Sequence, residues 1–400
     1  MNTYPRFLTA IASIFLSLIA IEVKSVYAGT FTFTKIAEAD NKNFFDVGGG
    51  PINDNSTVAF GAITPSGAGI FTGNGGAISP VVGPDPRYAI NGVAINNSGT
   101  VAFANIASEP QEGLFISNGE TVITVATPSD GLFTTNLSAN AFNNNNTLVF
   151  TLFNGFDSPV IVTGSGGSLT TVVDTSGQFR FFDQPPAIND NNVVAFTASL
   201  KDGGQGVFTI QNGLITTIAD DTSLFSGGFF ETSINNRNDV IFEGRLDNGE
   251  DGIFIGNGEK ITTVANTSSS FSSFSRPQIN DNNQVAFNAT LENGAANAFA
   301  DGIFTGSDPI ADKVIGIGDS LLDGTVTNLF FNGGLNNLGQ ISFFATITDS
   351  NNISRNVVFR ADPVSTSVPE STSILGLLAL GTLGTGLALK SNLKQQITTK

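Results

Sequence analysis

The 400-residue sequence predicts an all-β fold, a seven-bladed β-propeller closed by its own N-terminal strand, and three observations carry that expectation. One short unit recurs seven times. The strands of that unit are apolar on both faces. The last copy lacks a strand of which a spare stands at the front of the chain.

The unit is anchored by an apolar residue and Asn, a polar turn, and an apolar triplet ending in Phe. The copies are Ile52-Asn53 to Val58-Ala59-Phe60, Ile95-Asn96 to Val101-Ala102-Phe103, Phe142-Asn143 to Leu148-Val149-Phe150 and Ile188-Asn189 to Val194-Ala195-Phe196. Three more follow: Ile234-Asn235 to Val240-Ile241-Phe242, Ile279-Asn280 to Val285-Ala286-Phe287 and Leu335-Asn336 to Ile341-Ser342-Phe343. Successive anchor asparagines stand 43, 47, 46, 46, 45 and 56 residues apart. A period of this size means a propeller, a solenoid or an array. Each anchor is followed by a second apolar strand, often Gly-Ile-Phe, as at Gly252-Ile253-Phe254. An Asn-Gly turn such as Asn212-Gly213 or Asn257-Gly258 then leads into a Thr/Val/Ile strand. Asn-Gly between β-branched runs is a strong hairpin signal, so the unit reads as antiparallel β.

Side chains alternate across a strand, so in Val-Ala-Phe the large residues face one way and Ala the other. A sheet with one wet face would alternate apolar with polar. Two apolar faces fit a small sheet held between neighbours, as a propeller blade is. Six units end in the Thr/Val/Ile strand, whereas the seventh reaches Val357-Val358-Phe359 and stops without one. The missing strand matches Phe33 to Asp40, which reads like Ile215 to Asp221. Lending the first strand to the last sheet closes a ring and removes its exposed edges. A β-solenoid and paired sandwiches are the competing architectures.

The two ends read as addresses. Arg6 precedes an apolar run from Phe7 to Ile21, and Val26 and Ala28 fit the small-residue rule for signal-peptidase cleavage after Ala28. The run is short for a bilayer span, which takes roughly 17–25 apolar residues. At the other end Val368-Pro369-Glu370-Ser371 precedes an uncharged Leu- and Gly-rich stretch over 372–389, followed by Lys390, Lys394 and Lys400. That stretch is long enough to span, with its lysines cytoplasmic. This tail resembles the PEP-CTERM sorting signal of bacteria. Pro369 and Glu370 match the first two motif positions, and Ser371 replaces the second Pro. The resemblance implies processing by an exosortase-type enzyme, with release or attachment at the cell surface. The expected organisation is a signal peptide over 1–28, the propeller over 29–363 and the sorting tail over 364–400.

The repeat itself is similar to the NxxGxxAF tandem-repeat class of bacterial proteins. Asn96, Gly99, Ala102 and Phe103 match all four named positions, while Ser56, Asn146, Asn192, Asn238 and Asn283 replace the Gly. Asn shares with Gly a tolerance of positive φ, so the turn chemistry is kept. This resemblance implies a surface or secreted role and brings no activity with it.

Composition narrows the chemistry. With no His and no Cys, His-based triads, cysteine nucleophiles and His metal sites are excluded. A net charge of -17 gives no footprint for nucleic acid. No spacing points to a catalytic set, and Glu231, Glu243, Glu250 and Glu292 read as solvated surface. The Asn-Asp-Asn turns at 53–55, 189–191 and 280–282 raise Ca²⁺ ligation, but the alternating Asp pattern ending in Glu is missing. The preferred reading is that these side chains close their own turns, and no cofactor or metal is expected. Aromatics recur before each anchor: Phe44-Phe45, Tyr88, Phe133, Phe181-Phe182, Phe229-Phe230, Phe271 with Phe274, and Phe330-Phe331. Packing between blades is preferred for them over a ligand-stacking ring. Extra residues in the sixth unit make Asn293 to Phe299 a candidate binding loop.

The expected function is a non-enzymatic surface or matrix protein that binds extracellular polysaccharide or an envelope protein. Its processing partners would be Sec-type export machinery, signal peptidase and an exosortase-type enzyme. Anchoring by the C-terminal helix would be transient or permanent. The competing reading is a hydrolase or lyase acting on glycans with carboxylates in the central channel; it requires one or two carboxylates held asymmetrically inside that channel.

Overall fold

Each Val-Ala-Phe triplet opens the second strand of a small antiparallel sheet, and its Phe lands opposite an aromatic of the third strand. Phe196 and Phe208 lie 5.8 Å apart and stacked, as do Phe242 and Phe254, while Phe103 and Phe115 stack at 5.2 Å. Phe60–Phe71, Phe287–Phe304 and Phe343–Phe359 repeat the pair, and Val162 stands opposite Phe150 in the third sheet. Such cross-strand aromatic pairs stabilise sheets beyond the area they bury. The Gly of Gly-Ile-Phe exists for the same packing. At Gly206, Gly252 and Gly302 a Cβ would sit 2.8 to 2.9 Å from a carbonyl oxygen of the next strand and about as close to the Phe ring two residues on.

The computed structural model of the chain describes residues 31–107, 112–131, 137–153, 158–222, 224–268, 270–292 and 301–364. Val26 and Ala28, Val368, Pro369 and Glu370, the stretch 372–389 and the loop Asn293 to Phe299 lie outside them, as does Phe133. Among the described residues no helix is long and apolar enough to cross a membrane.

Seven sheets result, one per repeat. Blade 1 covers 46–85, blade 2 90–126, blade 3 148–174, blade 4 179–220, blade 5 225–266, blade 6 271–316 and blade 7 320–363. Blade 5 shows the plan: Phe225–Ile234, Val240–Leu246, Asp251–Gly256 and Ile261–Asn266 pair in that order, each antiparallel to the next. The strand before the anchor Asn is therefore the innermost and the Thr/Val/Ile strand the outermost, except that blade 3 has three strands and the short helix Ala139–Ala141 stands before its anchor. Blade 7 takes its outermost strand from the front of the chain. Phe31–Glu38 pairs antiparallel with Ser354–Pro363, from Phe31 opposite Pro363 to Glu38 opposite Val357. Ile36 and Ala37 are buried there, as Ile218 and Ala219 are in blade 4.

The core lies between blades. All three residues of Val58-Ala59-Phe60 and of Val101-Ala102-Phe103 are fully buried, which needs an apolar neighbour on each face. The largest fully buried side chains are all phenylalanine, from Phe60 to Phe343, so the high Phe content is core. Complete burial of one such ring stabilises by about 1.5–3 kcal/mol.

Candidate functional site

Two levels of the central axis carry polar side chains, and they differ in kind. The first is the ring of anchor asparagines, each 3–5% exposed. In every blade the anchor Oδ1 accepts two backbone N–H groups of its own turn; Asn280 takes Asn282 and Gln284, both at 2.9 Å. Its Nδ2 donates to the carbonyl of the next blade's anchor. The chain of donors runs Asn53, Asn96, Asn143, Asn189, Asn235, Asn280, Asn336 and returns to Asn53 at 2.9 Å, closing the circle. A side-chain amide accepts at Oδ1 and donates from Nδ2, whereas an ionised carboxylate only accepts, so Asn and not Asp stands at each anchor.

The turn residue three places on from each anchor completes the set. Ser56, Gly99, Asn146, Asn192, Asn238, Asn283 and Gly339 all have positive φ, between 57° and 82°. Where this residue is Asn, its Oδ1 takes the second amide hydrogen of the preceding blade's anchor, as Asn283 does from Asn235 at 2.7 Å. Asn280 and Asn336 face Gly339 and Ser56 instead, and they donate to Gln284 and Gln340 of their own turns.

A second ring follows from the next residue: Asp54, Asn97, Asn144, Asp190, Asn236, Asp281 and Asn337. Each backbone N–H donates to the side-chain oxygen of the following blade, again all the way round. The other oxygen of each Asp accepts two neighbouring amides: Asp54 from Asn97 and Asn337, Asp190 from Asn144 and Asn236, Asp281 from Asn236 and Asn337. The carboxylate oxygens that a Ca²⁺ ion would need are occupied by N–H donors. Among the described residues no group of three or more His, Cys, Asp or Glu could hold a metal. The rings line an axial opening of about 160 Å³ and act as a hydrogen-bonded belt.

The second level lies four residues before each anchor, about 13 Å along the strand. There the blades read Gly49, Gly92, Ala139, Pro185, Glu231, Arg276 and Asn332, so symmetry is lost. Register shifts fall here in blade 2 (Ile90/Val93), blade 5 (Phe230/Thr232), blade 6 (Ser275/Gln278) and blade 7 (Phe330/Gly334). Bulges re-aim side chains and gather at functional sites. Glu231 at φ 27° and Arg276 at φ 56° occupy backbone that non-glycine residues seldom adopt.

The bulges build a recess of about 120 Å³ from five of the seven blades. Ser138 and Asn140 come from the segment that leads into blade 3, Gln184 from blade 4, Glu231 and Thr232 from blade 5, Arg276 and Gln278 from blade 6, and Asn332 from blade 7. Glu231 Oε2 accepts the backbone N–H of Arg276, and Arg276 Nη1 donates to Asn332 Oδ1. The guanidinium carbon lies 4.5 Å from the centre of the Phe330 ring. Thr232 is 5% exposed, and its Oγ1 has no hydrogen-bond partner.

Glu231 and Glu243 correct the expectation that these glutamates are solvated surface. Glu231 lines the recess, and Glu243, partly buried, stands opposite Phe230 on the adjacent strand. Burial, with Glu231 and Asp251 nearby, pushes the Glu243 carboxyl up to about 8. The folded state then holds a proton that the unfolded chain gives up near 4.5. The contribution to stability is present in full below about pH 4.5 and is lost as the pH climbs towards 8. Glu243→Gln, which stays neutral, is expected to match the parent near pH 4.5 and to exceed it by up to ~4 kcal/mol near pH 8. Urea denaturation at both pH values checks this; equal stabilities at pH 8 would contradict it.

The recurring aromatics divide. Phe182, Phe229, Phe274 and Phe331 are buried between blades, whereas Phe181 and Phe230 are 38% and 47% exposed and Phe330 carries Arg276. Sequence reasoning missed the recess, although the signal was present: aligning the copies on their anchors puts Glu, Arg and Asn at one position of three consecutive blades.

None of the curated proteins matches the chain. Among solved structures it is similar to a puromycin-hydrolysing peptidase of Mycobacterium tuberculosis, at 10% identity and a TM-score of 0.43 over 86% of this chain and 54% of that one. The chain thus spans about half the length of that peptidase. It is similar also to YCF48 from Cyanidioschyzon merolae (11% identity, TM-score 0.39, 82% and 98% covered) and to TolB from Acinetobacter baumannii (13%, 0.39, 77% and 79%). Residues 132–363, blades 3 to 7 and hence the whole recess, match the model of a family of unknown function, DUF7453, and the chain belongs to that family.

Proposed function

We propose that the chain is an exported binding module, held at or released from the bacterial surface, whose propeller captures a polar extracellular ligand in the axial recess. The observation that carries this is the contrast between the two levels. The belt is built from repeat-equivalent residues whose hydrogen-bonding groups serve the ring itself. The recess gathers unlike groups and leaves Arg276 with no carboxylate within ion-pair distance among the described residues. Convergent polar groups in a concave site are what small-molecule recognition uses. Export rests on the Arg6 to Ala28 leader and on the Val368-Pro369-Glu370 tail with its apolar stretch over 372–389. Sec-type machinery, signal peptidase and an exosortase-type enzyme are the partners this reading requires. Extracellular polysaccharide is the ligand class favoured over an envelope protein, because the recess is a pocket and not a broad face.

The test is binding of the purified chain to polysaccharide extracted from the producing cells. Gln184→Trp, at a loop residue of the recess rim, is expected to abolish it at unchanged melting temperature. Binding that survives Gln184→Trp would contradict the proposal. A second reading, glycan cleavage, draws on one observation: the Glu231 and Glu243 carboxyls are neighbours, and Glu243 retains its proton near neutrality. New reducing ends that disappear with Glu231→Gln would favour it.

A further inference from the structure

The chemistry of the recess narrows its ligand. Among the described residues Arg276 is the only basic one that lines it. A guanidinium stacked on an aromatic face keeps its edge free, and the edge presents N–H donors in a fork that matches a carboxylate. One donor goes to Asn332; no carboxylate among the described residues takes the others. The surrounding groups are amides and hydroxyls: Gln184, Gln278, Asn140, Asn332, Ser138 and Thr232. Amides donate and accept at adjacent atoms, which suits vicinal hydroxyls. About 120 Å³ of space accessible to water-sized groups holds roughly ten non-hydrogen atoms, close to one pyranose ring. The net charge of -17 and Glu231 in the recess both oppose an anionic ligand, so a carboxylate is held there only through a direct pair with Arg276.

We infer that the recess takes a carboxylate-bearing sugar, one uronic-acid unit of an acidic polysaccharide, with its carboxylate on Arg276 and its hydroxyls on the amides. The inference rests on the proposal that the recess is the binding site.

Calorimetry on the full chain tests it with trimers of galacturonate and of glucuronate, each beside its carboxyl-reduced counterpart. At least one acid trimer is expected to bind roughly tenfold tighter than its neutral form, the worth of a charge-assisted pair. Arg276→Asn, chosen because Asn tolerates the φ of 56°, should remove that difference while a thermal melt shows the fold intact. Glu231→Gln keeps an acceptor for the Arg276 N–H and should tighten the acid trimer a few-fold. Equal binding of acid and neutral trimers overturns the inference and leaves the binding-module reading standing. So does displacement by equimolar acetate, which would mark a bare carboxylate site. Failure of the surface extract to bind at all would instead sink the proposal beneath it.

Discussion

Asn280→Ala is expected to destabilise the protein by about 3–6 kcal/mol. The substitution deletes one small side chain, yet it orphans the N–H groups of Asn282 and Gln284, takes a donor from Gln284 Oε1 and leaves the Asn336 carbonyl with the Gly339 N–H alone. Each polar group left without a partner in a buried setting costs about 1–3 kcal/mol. The Asn336 carbonyl belongs to the neighbouring blade, so the loss is felt across a junction. Asn280→Asp separates the two jobs of the side chain. It keeps both N–H bonds but turns a donor into an acceptor facing a carbonyl, and it too should lose stability. Asn282→Ala removes only an exposed bond to the Asn337 carbonyl and should cost less than about 1 kcal/mol. Urea denaturation of the three variants measures the order. If Asn280→Ala were as mild as Asn282→Ala, the belt would be decoration.

Removal of residues 31–38 is expected to abolish cooperative folding. Val357, Val358, Phe359 and Ala361 are fully buried, and that strand pairs on its outer side with Phe31–Glu38 alone. Without the cover, apolar surface and a row of unpaired backbone groups form an open edge, a template for aggregation. Ile36 is 4% exposed and packs in the cluster that joins Val47, Val58 and Phe60 of blade 1 to Val358 of blade 7. The strand therefore holds the first blade to the last. Position along the chain should not matter. Phe31 lies opposite Pro363, so a tight turn can join the end of blade 7 to a transplanted copy. Grafting residues 31–40 behind residue 364 should restore the parent's elution volume and melt to the truncated chain. Size-exclusion chromatography with thermal melts distinguishes the cases; a truncated chain that melts like the parent would contradict the closure.

Much of this architecture was legible in the sequence, because a propeller writes each blade as a local hairpin series. The anchor spacing gave the number of blades, and the unpaired copy at Phe33 to Asp40 gave the closure. The tolerance of positive φ shared by Asn and Gly matched the backbone at Ser56, Asn146, Asn192, Asn238 and Asn283. What stayed hidden depends on contacts between blades, which join residues some 45 positions apart. The anchor Asn could be seen to close its own turn, but its donation to the next anchor follows only from the ring. Gln284 and Gln340 look like ordinary turn residues until Gly339 and Ser56 are found unable to serve the anchors facing them. Glu231 and Glu243 fell in variable parts of the unit, where solvent exposure is the ordinary expectation. The bulge lets Glu231 line the recess, and Glu243 is partly buried opposite Phe230 on the adjacent strand. The aromatic pairs look alike in the sequence, which cannot show that Phe182 and Phe229 are buried while Phe181 and Phe230 are exposed.

The central claim is that the symmetric belt holds the ring together and that recognition belongs to the asymmetric level above it. Hydrogen exchange of the full chain, with and without the surface polysaccharide, tests that division most directly. The account predicts slowed exchange at 137–140, 231–232, 276–278 and 332–333, with the anchor turns unchanged. Protection confined to the anchor turns, with the recess unaffected, would contradict it.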